Sequence, residues 1–77
     1  MTERTSGEII RYYRQRQNMT REELAGQLSI GPEKLAHWEE NVTVPRPGAI
    51  ARLVQILEIP AEEEEILQNA FQAAKAQ

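Results

Sequence analysis

The stretch Thr20-Arg21-Glu22-Glu23-Leu24-Ala25-Gly26-Gln27-Leu28-Ser29-Ile30-Gly31-Pro32-Glu33-Lys34-Leu35-Ala36-His37-Trp38-Glu39-Glu40 decides how the chain folds. It reads as two short helices joined by a tight turn. Thr20 and Glu23 have the spacing of a capping box, in which each side chain accepts from a backbone amide that the first helical turn leaves unpaired. A helix over 21–28 is therefore expected, with Leu24, Ala25 and Leu28 on one apolar face. The pattern stops at Ser29-Ile30-Gly31-Pro32. Pro32 lacks an amide hydrogen and has a fixed φ, so it suits the first turn of a second helix, over 32–40. Leu35 and Trp38 then resume helical spacing, and the small Ala25 suits a close approach between the two.

This is the pattern of a helix-turn-helix, and at these residues the chain resembles a known family. Met19-Thr20-x-x-x-Leu24-Ala25, Leu28-Ser29-Ile30 in the turn and Leu35-x-x-Trp38-Glu39 are similar to the DNA-binding domains of phage repressors, Cro proteins and their bacterial relatives, the XRE type. The likeness continues through Pro45 to Leu53, Leu57 and Ile59 and covers about two-thirds of the chain. No single piece is specific; their order and spacing together are. The resemblance implies an all-α fold, a compact five-helix bundle that contains the helix-turn-helix.

The flanking sequence agrees. Thr5 and Glu8 form a second capping box, which predicts a first helix over about 6–17, closed by Asn18 in a left-handed conformation. Asn41 stands where the second motif helix needs a similar stop. Val42-Thr43-Val44-Pro45-Arg46-Pro47 alternates β-branched residues and prolines, so a loop is expected there. Pro47, followed by Ile50, Leu53, Val54 and Leu57, predicts a helix over 47–57 that breaks at Pro60. A last helix over 61–74 opens with Glu62, Glu63, Glu64 and Glu65 at the positive end of its dipole. Its apolar stripe Ile66, Leu67, Ala70 and Phe71 is either a dimer surface or a cover for the chain's own core. No internal repeat or linker divides residues 1–77, so one domain is expected.

Composition narrows the function. Seventy-seven residues suffice for one small core, and 40% hydrophobic with 5% aromatic makes that core mainly aliphatic. There is no Cys and no Asp, and there is one His, which excludes a disulfide scaffold, a Ser-His-Asp or Cys-His set and a two-His zinc site within one copy. The four glycines form no phosphate loop. No enzyme activity, cofactor, metal or small-molecule substrate is expected. No apolar run approaches the roughly 20 residues of a membrane span, and the N-terminus lacks a signal-peptide core, so a cytoplasmic protein is expected. Net charge is −3, yet residues 1–21 hold Arg4, Arg11, Arg14, Arg16 and Arg21 against Glu3 and Glu8. A local positive face on an acidic chain is therefore possible.

The resemblance also implies roles. Thr20, Arg21, Gly31, Pro32, Glu33, Lys34, His37, Asn41 and Arg46 would form an interface with double-stranded DNA. Pro32, Glu33, Lys34 and His37 would face base edges in the major groove and Arg21 would meet a phosphate. Lys34 can donate to guanine, His37 can donate or accept, Glu33 can accept from cytosine N4, and the Pro32 ring can touch a thymine methyl. Each could instead be an ordinary exposed residue of a helix start. Trp38, three residues beyond Leu35, is expected in the core, and Tyr12 at its rim. Arg14 and Glu39 match an ion pair that ties the family's first helix to its reading helix.

Two functions follow. One is a small transcriptional regulator that binds duplex DNA as a homodimer. The family more usually has Gln, Arg or Ser at the reading positions and Lys or Arg where this chain has Val42 and Val44. With Glu33 and Glu40 on the reading helix, that departure supports the alternative, an adaptor of the same fold that binds a protein partner.

Overall fold

A computed structural model describes residues 5–75, so Glu3 and Arg4 of the N-terminal charge cluster lie outside the described residues. Five helices follow in order: α1 Ser6–Arg16, α2 Arg21–Leu28, α3 Pro32–Glu39, α4 Pro47–Leu57 and α5 Ala61–Lys75. There is no strand among the described residues, and the fold is all-α. The Cα radius of gyration, 11.4 Å, matches the roughly 11.5 Å of a compact chain of this length, as a single core requires.

Local chemistry sets the helix limits. Thr5 Oγ1 accepts from the Glu8 amide at 3.2 Å while Glu8 Oε1 accepts from the Thr5 amide at 2.9 Å. Thr20 and Glu23 repeat the exchange at 3.1 and 2.8 Å, so both capping boxes read from the sequence are formed. Pro32 and Pro47 open α3 and α4, where the missing amide hydrogen leaves no helical bond unmade. Asn18 and Asn41 take left-handed backbone angles, with φ of 56° and 62°. Ser29 and Glu58 do so too, with φ of 59° and 56°, and they close α2 and α4. Glutamate gains nothing local from this conformation, and Glu58 stands where Gly is the common solution.

Every helix sends apolar residues to one core: Ile9, Ile10 and Tyr13 of α1, Leu24, Ala25 and Leu28 of α2, Leu35 and Trp38 of α3, Ile50, Leu53 and Leu57 of α4, and Leu67 of α5. Trp38 is 3% exposed, a core residue as its spacing predicts. The apolar stripe of α5 divides, which corrects one reading of it: Leu67 is fully covered by the chain's own core and belongs to no dimer surface. Ile66 and Phe71 pack half-buried against that core, and Ala70 is also half-buried. Arg52 fastens α4 to the end of α2, its Nη2 donating to the Gln27 carbonyl at 2.8 Å.

The closest approach joins α1 to α3. A methyl group on Gly7 would sit 2.6 Å from the Trp38 carbonyl oxygen and nearer still to that of Glu39. Only glycine lets the start of α1 lie on the last turn of α3.

Candidate nucleic-acid interface

Orientation of α3 depends on one buried carboxylate. The Glu39 side chain is fully covered, and its two oxygens face arginines from two other helices. Arg14 donates from Nε to Oε2 at 2.6 Å and from Nη2 to Oε1 at 3.2 Å, a two-pronged geometry that fixes the carboxylate plane. Arg21 Nε donates to Oε1 at 3.1 Å, and Arg11 Nε lies 3.7 Å from the same oxygen. The third guanidinium nitrogen of Arg14, Nη1, donates to the Met19 carbonyl at 2.8 Å, so the α1–α2 turn is held as well. Glu39 is thus the point at which α1, α2 and α3 are locked together.

Two residues expected at the DNA are engaged elsewhere. Arg21 is turned inward onto Glu39, with Nη2 3.9 Å from Glu40, instead of standing out toward a phosphate. The buried charge on Glu39 draws it in. Asn41 faces α1: its Oδ1 accepts from the Gly7 amide at 3.0 Å and its Nδ2 donates to Thr5 Oγ1 at 3.1 Å. It caps the start of α1 from outside, accepting from an amide that has no partner within α1.

The remaining set stands together at the surface. Pro32, Glu33, Lys34 and His37 are all exposed on the first turns of α3, while Leu35, Trp38 and Glu39 take its inner side. Glu33 and His37 are one helical turn apart, and Lys34 and His37 are three residues apart, so the three make one edge. None of the three side chains forms a hydrogen bond or ion pair with a described residue. Gly31 caps α3 through its backbone alone, and Thr20 is exposed at the start of α2 with its oxygen held by the Glu23 amide.

Beside that edge runs a groove of about 670 Å³, lined by Ile30, Lys34, His37, Trp38, Thr43, Val44, Arg46, Gly48 and Ala49. Its floor is apolar, and its walls carry Lys34, His37 and Arg46. Arg46 is exposed at the N-cap of α4, where the helix start adds partial positive charge. Val42, 63% exposed, sits on the loop that leads from α3 to this groove. The sequence marks Asn41, Val42, Val44 and Arg46 around this loop, but not Arg11 as a partner of Glu39. Arg11 had a signal, since Gly7, Arg11 and Arg14 fall at i, i+4 and i+7 on one face of α1.

Among the described residues no group of three or more metal-binding side chains converges, and no helix is long and apolar enough to cross a membrane. No curated protein and no solved structure matches the chain. A family model described as a helix-turn-helix domain matches residues 7–70, from the glycine that seats α1 on α3 to the half-buried stripe of α5, and the chain belongs to that family.

Proposed function

We propose that this protein is a small transcriptional regulator that binds double-stranded DNA in a sequence-specific manner, with α3 in the major groove. The observation that supports it best is the leading edge of α3, where Pro32, Glu33, Lys34 and His37 are exposed and Lys34 and His37 line one groove together with Arg46 at the start of α4. A major groove about 12 Å wide admits a helix, and the first turn is the part that reaches the bases. Lys34 and Arg46 are the phosphate-facing or guanine-facing cations in this reading. Arg21 supports the reading helix through Glu39. One unit of this kind covers only about 600–1,000 Å² on DNA, so two copies on neighbouring half-sites supply the affinity and the specificity together.

A second reading, an adaptor that binds a protein, is supported by the apolar loop with its exposed Val42 and by the net charge of −3. Salt-titrated binding to duplex DNA separates the two. A DNA binder loses affinity on a log-log slope near −0.9 per phosphate contact, and Lys34→Ala with Arg46→Ala should flatten that slope by roughly two units per copy. Both side chains are exposed, so circular dichroism melts should stay unchanged. No binding at about 50 mM salt would favour the adaptor.

A further inference from the structure

We infer that Glu33 sets base choice, accepting a hydrogen bond from the N4 amino group of cytosine in each half-site; this rests on the DNA reading above. The side chain stands exposed at the second position of α3, one turn before His37 and next to Lys34. It forms no hydrogen bond or ion pair with a described residue. Its negative charge complements the start of α3, whose N-cap Gly31 offers no side-chain bond, but any acid in that turn would do this wherever it pointed.

On DNA the same charge is selective. A carboxylate that faces the phosphates is repelled, so an exposed one on the leading edge is tolerated only where it meets a donor. The major groove offers two, adenine N6 and cytosine N4. Adenine N6 is flanked by the N7 acceptor of its own ring and by O4 of the paired thymine, so a carboxylate there meets two lone-pair neighbours. Cytosine N4 has an acceptor on one side only, O6 of the paired guanine, and a carbon-bound hydrogen on the other. Lys34, the next residue, supplies the cation that guanine O6 and N7 accept from. An acid and a base side by side on one edge thus match a C·G pair and its neighbour, and they disfavour runs of A·T.

The test is selection of duplexes from a randomised pool with the full chain, followed by affinity measurements on the selected site and its single-base variants. Cytosine should be fixed at one position per half-site. Glu33→Gln should lower the preference for cytosine there about tenfold, since an amide can pair with adenine N6 and N7, and should leave the other positions as they were. Affinity for random DNA should hold or rise, because a like charge is removed from beside the phosphates. Selected sites without a fixed cytosine, or a cytosine preference that survives Glu33→Gln, overturn the assignment of Glu33 and leave DNA binding standing. No duplex bound by the unaltered chain at about 50 mM salt overturns DNA binding and this assignment with it.

Discussion

Glu39→Gln isolates the charge at the junction of three helices while keeping its shape. In the native chain both carboxylate oxygens are occupied, Oε2 by Arg14 Nε at 2.6 Å and Oε1 by Arg14 Nη2 at 3.2 Å and Arg21 Nε at 3.1 Å. An amide in that place turns its own N–H groups toward guanidinium donors, and Arg14, whose side chain is 11% exposed, is left as a buried cation without its counterion. Breaking a buried pair from one side costs about 3–5 kcal/mol. A chain of 77 residues has a total stability of about 4–12 kcal/mol at 0.05–0.15 kcal/mol per residue. The substitution therefore removes between a quarter and all of it.

The arginines should rank below Glu39, and in a fixed order. Arg14→Ala leaves Glu39 with Arg21 and Arg11 and costs about 2–3 kcal/mol, the worth of charge-assisted hydrogen bonds lost from a buried site. Arg21→Ala costs about 1 kcal/mol because its side chain is 35% exposed, and Arg11→Ala, 44% exposed, costs less. Urea denaturation followed by far-ultraviolet circular dichroism gives each value, with the slope expected to stay constant across the set. An Arg14→Ala loss larger than that of Glu39→Gln would refute the reasoning, since it would make the arginine, and not the carboxylate, the shared partner. So would a Glu39→Gln loss below about 1 kcal/mol, the range of an exposed pair.

Gly7→Ala should cost about 1–3 kcal/mol or more, because the added methyl meets backbone carbonyls of Trp38 and Glu39 that cannot rotate away; a fall in Tm of less than 5 °C or so would contradict the contact. Glu58→Gly should stabilise by about 0.5–1 kcal/mol, the relief of a left-handed non-glycine residue less the added freedom of the unfolded chain, measured as a rise in the urea midpoint. Val42→Lys should leave stability unchanged, the side chain being 63% exposed, and should steepen the salt dependence of DNA binding by about 0.9 units per copy; an unaltered slope would put the α3–α4 loop away from the phosphates.

The helices were legible because each has a local cause that is written in a few residues. Two Thr-x-x-Glu boxes, two prolines at first helical positions and two asparagines at helix ends mark boundaries that do not depend on tertiary contacts. Trp38 and Leu35 were legible from spacing alone. Side-chain partners across the fold were harder. Arg21 looks like a free cation at a helix start, and only the burial of Glu39, eighteen residues away, turns it inward. Asn41 has the composition of an interface residue, yet α1 arrives beside it with an unpaired amide at Gly7 and takes its carbonyl oxygen. The α5 stripe shows the same limit: periodicity marks an apolar face, and it takes the packed bundle to separate Leu67 inside from Ile66 and Phe71 at the rim.

These inward turns change how the charge of the chain bears on DNA. Arg11, Arg14 and Arg21 all address one buried glutamate, and Arg52 is tied to the end of α2, so much of the positive charge near the helix-turn-helix serves the fold. What faces outward beside the reading helix is a short set, Lys34, His37 and Arg46, with Glu33 among them and Val42 next to them. Affinity built from phosphate contacts grows with the number of outward cations, and beside α3 that number is small among the described residues. If the protein binds DNA as proposed, such an arrangement would hold random duplex weakly, and discrimination between sites would come from the base edges that the first turn of α3 can touch. In that reading the carboxylate on that turn, which would weaken general affinity, would widen the gap between the right site and all others, since its repulsion is relieved only where a base supplies a donor.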